Sequence, residues 1–278
     1  MAIFVTMDKR YNIRVMGIVN LTDDSYFSES RCLGASSAST VDNAFRRVDQ
    51  MIGQGASIID IGACSTRPGA ELVSEDVEWE RMSPILSAFR RSYPDIEVSI
   101  DTFRSGIVKK AYDQLGSFIV NDITAGEGDE DMLPVVGSLG LGYVAMHSRG
   151  IPKTMQSMCG YSDVVSEVSA YFDSFAIRAS ECGVKDWILD PGFGFAKTID
   201  QNYELLKNLK QFVIKGRDVL VGISRKSMIY GYLGLTQDDV LSATQVLHLK
   251  ALQEGASILR VHDVKEAVQT VNLYTKLL

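Results

Sequence analysis

The segment EGASILRVHDVKE, residues 254–266, contains one complete example of the unit from which this chain is built. Gly255 follows a long run with helical spacing and stands where a helix would end in a left-handed cap. SILRVH, residues 257–262, is a short β-branched run of strand type. Asp263 is placed to cap the next helix at its N-terminus, with Glu266 three residues on in the spacing of a capping box. A strand closed on both sides by helix ends reads as part of a β/α alternation and a parallel sheet. Within the strand Arg260 and His262 are two residues apart and share a face. They lead into a helix N-terminus, whose free N–H groups and dipole favour an anion.

The same unit recurs along the chain. IRVMGIVN, SIIDIG, EVSID, SFIVND, GYVAMH, WILDPG, VLVGIS and SILRVH are each followed by a longer segment with helical spacing, and Gly55 repeats the role of Gly255 before the second strand. Eight strands in 278 residues, close to the ~250 typical of the fold, predict a single (β/α)8 TIM barrel over residues 1–278 with long loops after strands 1 and 2. A doubly wound open sheet is the alternative. The absence of GxGxxG or GxxxxGK[ST] after the first strand argues against it.

Composition narrows the partners. Lys and Arg number 28 against 35 Asp and Glu, a net charge of -7, and no basic cluster exceeds a pair. A nucleic-acid or anionic-membrane partner is therefore not expected. No window approaches the roughly 18 uninterrupted apolar residues of a membrane span, so a soluble, cytoplasmic protein is expected. Cys32, Cys64, Cys159 and Cys182 form no CxxC pair, which gives no sign of a disulfide framework or zinc site.

Barrel strands are buried on both faces, and a polar side chain there is costly unless paired or used. Asn20, Asp101, Asn121, His147, Asp190, Lys226, Arg260 and His262 all fall at the C-terminal ends of the expected strands, the rim where barrel active sites are built. Arg260 and His262 suit a phosphate or pyrophosphate. Two carboxylates and a carboxamide, Asp101, Asp190 and Asn121, suit a flat heterocycle with several N–H donors, of the guanine or pterin kind; general acid/base work by the Asp pair is the competing role. In GISRKSM, regular alternation would send Gly222, Ser224 and Lys226 into the mouth and Arg225 toward the helices. The long polar loops after strands 1 and 2 read as lids or as plain exposed connections.

MGIVNLTDDS, DIGACSTRPGA, SIDT, VNDI, DPGFGFAK, GISRKSM and RVHDV, in this order from about residue 13 onward, resemble the successive motifs of the dihydropteroate synthase family. The resemblance implies condensation of 6-hydroxymethyl-7,8-dihydropterin pyrophosphate with p-aminobenzoate, with Mg²⁺, by dissociative C–O cleavage and then arylamine attack. It implies Asp101, Asn121, Asp190, Lys226 and Thr66 at the pterin. Asn20, Arg260 and His262 fall to the pyrophosphate, Asn20 also being the metal position. Thr66, Arg67, Pro68, Phe195 and Ser227 fall to p-aminobenzoate, and Lys226, Asp101, Asp190 and Arg260 are the implied catalytic set. It also implies a homodimer.

Some positions depart from the family pattern. Asp23 stands where the family has proline, Glu29 or Ser28 is nearest to an expected loop aspartate, with Asp24 a further candidate, and Cys64 stands where the family has glutamate. A corrinoid-type pterin-binding methyltransferase and a non-catalytic pterin-binding paralogue are the rival readings. STRPGA and SRKS have no use in the first, and the second would be expected to have lost Asp101, Lys226, Arg260 or STRP.

Overall fold

The computed structural model describes residues 13–22, 37–65, 72–150, 153–213 and 215–278. The Val- and Ile-rich runs become strands because branching at Cβ suits a pleated surface packed on both faces. They are β1 Arg14–Asn20, β2 Ile58–Gly62, β3 Glu97–Asp101, β4 Ile119–Asp122, β5 Gly142–Met146, β6 Trp187–Asp190, β7 Leu220–Val221 and β8 Ile258–Val261. All pair in parallel, in the order β6-β5-β4-β3-β2-β1-β8-β7. The Leu189 and Val219 bridge, with the Leu189 N–H donating to the Asp218 carbonyl at 2.9 Å, joins the two outer strands. The sheet is thus a (β/α)8 barrel, and the open-sheet alternative falls.

Helices cover the outside: α1 Ser37–Gln54, α2 Glu75–Ser92, α3 Ser105–Leu115, α4 Met132–Leu139, α5 Val164–Glu181, α6 Ile199–Lys207, α7 Lys210–Val213, α8 Ser227–Leu233, α9 Leu241–Gln253 and α10 Val264–Leu277. Gly55 and Gly255 end α1 and α9 at φ 102° and 97°, as expected of their positions.

Alternation along each strand sorts its residues between helical layer and barrel interior. Met16, Ile58, Ile119, Val144, Ile188, Leu220 and Ile258 form one apolar cluster inside the ring. Moving two residues toward the C-terminal end of β1, β2, β4, β6, β7 and β8 reaches Ile18, Asp60, Asn121, Asp190, Gly222 and Arg260. An apolar floor therefore seals one end, and a polar tier lies above it. The larger recess, about 720 Å³, lies at the opposite end among Arg14, Glu97, Trp187 and Asp218, away from the loops that carry chemistry in this fold.

Two local expectations are corrected. VLVGIS yields a strand of only two residues, preceded by the single Val219 bridge, because the chain leaves the ladder after Val221 and turns through Arg225 at φ 53°. Lys226 enters the mouth by that turn, and strand alternation has no part in aiming it. The capping box at Asp263 does not form: α10 has no side-chain cap bond. The Asp263 carboxylate instead accepts from Arg225 Nε and Nη2 at 2.8 and 2.9 Å, a bidentate pair with charge on both partners, whereas a cap bond has charge on the acceptor alone.

Candidate active site

The polar tier is organised by Arg260. Its Nε donates to Asp60 Oδ2 at 2.7 Å, and its Nη2 lies 2.6 Å from the same oxygen and 2.7 Å from Asp101 Oδ2. The register explains the meeting: Asp60 and Ser99 are partners across β2 and β3, and Gly62 faces Asp101 one step higher. Gly62 has no side chain to stand between the carboxylate and the guanidinium; a Cβ there would lie 3.1 Å from Asp101 Cβ. Asn121, the partner of Asp101 across β3 and β4, donates through Nδ2 to Asp60 at 3.2 Å. One cation shared by two buried acids does not fully offset their desolvation. Burial, with Asp60 nearby and against the pull of Arg260, raises the Asp101 pKa to about 7.

A second wall comes from the loop after β6. Asp190 accepts from the Gly192 N–H at 2.8 Å, and burial raises its pKa against the pull of Lys226. Gly192 is obligatory: its φ is 70°, and a Cβ would fall 1.9 Å from the His147 carbonyl oxygen. Beyond it, Lys226 Nζ donates to the Phe193 carbonyl and stands 4.7 Å from the centre of the Phe195 ring. Burial lowers the Lys226 pKa to about 8, with Asp190 opposing.

Between these walls lies a cavity of about 280 Å³. Asn20, Asp101, Phe195, Lys226, Ser227, Arg260 and His262 all line it. His262 is buried, and its ring Nδ1 lies 3.1 Å from Ser224 Oγ. Burial and neighbouring Arg260 push its pKa down to about 3, so the imidazole is neutral near pH 7. In the tautomer whose Nδ1 accepts from Ser224 Oγ, Nε2 carries the N–H.

Of the strand-end residues, Asn20, Asp101, Lys226, Arg260 and His262 line the cavity, with Asn121 and Asp190 buried just behind it; Phe195 and Ser227, expected from the resemblance alone, line it as well. Arg260 departs from the phosphate role expected of it in one respect: two of its nitrogens are engaged by carboxylates of the floor. His147 is also set apart, buried 3.0 Å from Lys197. Arg225 borders the cavity while its guanidinium is held by Asp263 and the carbonyls of Gln237 and Asp238. Thr66, Arg67, Pro68, Asp23, Asp24, Ser28 and Glu29 lie outside the described residues.

Sequence reasoning missed Asp60 and Lys197. Asp60 lies inside a strand, whereas the strand-end rule selects only residues at the rim, although a charged residue amid SIIDIG is the stronger anomaly. Cys64 does line the cavity, and burial raises its thiol pKa. Among the described residues no group of three or more His, Cys, Asp or Glu side chains could hold a metal ion.

A buried tier of paired carboxylates and cations at the C-terminal mouth of a (β/α)8 barrel defines the class, and a model described as "Pterin binding enzyme" matches residues 16–262. The chain belongs to the pterin-binding enzyme family. Within that family its relatives are dihydropteroate synthases. The enzyme of Escherichia coli K12 is 38% identical over 261 residues, covering 93% of this chain and 89% of the relative. The solved Yersinia pestis dihydropteroate synthase with a sulfonamide drug superposes with a TM-score of 0.90 at 33% identity, covering 100% and 98% of the two chains. That of Thermus thermophilus in complex with 4-aminobenzoate gives 0.82 at 34% identity, covering 96% and 95%.

The two shifted groups yield a pH prediction. Asp101 must ionise to accept from a ligand N–H, and Lys226 must keep its proton to donate with full charge. The ratio kcat/KM should therefore rise as pH climbs through about 7 and fall again through about 8. Asp101→Asn should remove the acid limb; an unchanged limb in that variant would assign it to another group. Because the folded Asp101 keeps a proton that an unfolded chain releases near 3.8, its contribution to stability declines as pH rises from about 4 toward about 7.

Proposed function

We propose that this protein joins 6-hydroxymethyl-7,8-dihydropterin pyrophosphate to p-aminobenzoate, giving 7,8-dihydropteroate and pyrophosphate. The observation that carries the reading is the pairing of two unlike walls around one cavity: an Arg260, Asp60, Asp101 and Asn121 floor, and a Phe195, Lys226 and Ser227 side. The acids and the carboxamide match the N–H donors and carbonyl of a pterin ring, and the aromatic side matches an arylamine. The reading is supported by the dihydropteroate synthase relatives.

In this scheme the C–O bond to pyrophosphate breaks first, and the electron pair leaves with the phosphate oxygen. The positive charge left on the pterin methylene is favoured by the fixed Asp101 and Asp190 carboxylates. The arylamine nitrogen then forms the new C–N bond and releases its proton. His262 Nε2–H and the remaining Arg260 donor would hold the leaving group, and Lys226 would contact the electron-rich pterin. Thr66, Arg67 and Pro68 would complete the arylamine subsite.

Asn20 is the residue proposed to meet Mg²⁺. A lone carboxamide oxygen fits an ion that keeps several waters and takes its other ligands from substrate phosphates. When bound, the ion would neutralise charge on the departing pyrophosphate.

The assay mixes purified protein with the pterin pyrophosphate, Mg²⁺ and labelled p-aminobenzoate. Labelled dihydropteroate is expected; no product above background, with both substrates bound, would leave the non-catalytic reading.

A cytoplasmic location belongs to the same proposal. Cys64, Cys159 and Cys182 are unpaired thiols, as a reducing compartment would leave them. Among the described residues no helix is long and apolar enough to cross a membrane.

The proposal also includes a homodimer. On the last helices Val246, Leu273 and Leu277 are 66%, 69% and 80% exposed, an apolar face of the kind that marks an interface. Light scattering should give twice the 30.6 kDa chain mass, and Leu273→Asp should halve it; a wild-type monomer at micromolar concentration would refute the pairing.

A further inference from the structure

Lys197 closes the DPGFGFAK segment and is 4% exposed, at the foot of the loop that carries Phe193 and Phe195. A lysine ammonium has three N–H donors and no acceptor. Four acceptors stand around it: the Phe195 carbonyl at 2.9 Å, the Gly192 carbonyl at 3.0 Å, His147 Nδ1 at 3.0 Å and, more distant, the His147 carbonyl at 3.4 Å. His147 directly follows β5, so the ammonium ties the exit of one strand to the loop after the next. Burial holds His147 neutral, and with its one proton on Nε2 the Nδ1 lone pair accepts from the ammonium.

The tied loop has a shape its backbone does not favour. Gly192, Gly194 and Ala196 have φ of 70°, 81° and 51°, and alanine rarely adopts the left-handed region. Its polar groups are satisfied from outside: Phe193 accepts from Lys226, Gly194 accepts from Gln156 Nε2 at 3.2 Å, and the Gly194 N–H donates to Asn202 at 2.7 Å. The product of this shape is local and specific. It sets the Phe195 ring on the cavity wall, against Lys226.

We propose that Lys197 is a positioning residue for the arylamine subsite: its ammonium fixes residues 192–196 in the conformation that presents Phe195 beside Lys226, and so sets the affinity for p-aminobenzoate. This rests on the synthase reading above. Lys197 itself touches no substrate in this scheme and acts through Phe195.

The test is a double-mutant cycle in the full-length chain with Lys197→Met, Phe195→Ala and the double variant, measured by steady-state kinetics, with circular dichroism confirming the fold. Lys197→Met should raise KM for p-aminobenzoate about tenfold or more, while KM for the pterin pyrophosphate stays within about threefold. If Lys197 acts through Phe195, the double variant should lie within about twofold of the worse single one, since coupled sites are not additive. An unchanged p-aminobenzoate KM in Lys197→Met, or effects that multiply in the double variant, would overturn the inference while leaving the synthase reading intact. No turnover by the wild-type protein would overturn both. Should Lys197→Met fail to fold, Lys197→Gln, which retains two donors, enters the same cycle with the same criterion.

Discussion

The polar tier of this barrel depends on Arg260 lying between Asp60 and Asp101. An isolated carboxylate inside a parallel barrel would carry a desolvation cost of several kcal/mol, and Asp60 is wholly buried above a layer of Met, Ile, Val and Leu side chains. The guanidinium makes that burial tolerable because its planar fork reaches both acids at once. It cannot neutralise both. The shortfall of charge appears as the raised Asp101 pKa, and it leaves acceptor capacity directed at the cavity. A ring rich in N–H donors is what such a floor can bind.

The opposite wall answers the same constraint with lysines. Asp190 is compensated by Lys226, half-buried, and Lys197, buried, both with lowered pKa values. Three acids, Asp60, Asp101 and Asp190, are therefore set against Arg260, Lys226 and Lys197 in and behind the walls of the mouth. Near-neutral balance allows so many charged groups inside an apolar shell, and the glycines at 62, 192 and 194 give them the close approach they need. A ligand that brings pyrophosphate adds negative charge, which His262 and the nearby helix end would meet, the Asp263 carboxylate at that end being taken up by Arg225.

Most of this was legible in the sequence, for physical reasons. Strands buried on both faces admit few polar residues, so Asn20, Asp101, Asn121, Asp190, Arg260 and His262 stood out and all proved to lie in or just behind one site. Asp60 was passed over because its partner, Arg260, is 200 residues away and strand-end logic did not extend inward. The turn at Arg225 was also hidden: a left-handed arginine has no local signal, and its fork to Asp263 and its bonds to the Gln237 and Asp238 carbonyls come from distant parts of the chain. That fork in turn removed the carboxylate from the capping box expected for α10. Local rules failed in these places because a distant charge outcompeted a local hydrogen bond.

The most direct measurement is the affinity for pteroic acid, by calorimetric titration, of wild-type protein and of Asp60→Asn. The substitution keeps shape and deletes the charge that holds Arg260. If the Arg260 arrangement builds the pterin floor, the variant should keep its fold and bind at least about tenfold more weakly, about 1.4 kcal/mol. Equal affinity in a folded Asp60→Asn protein would contradict the account.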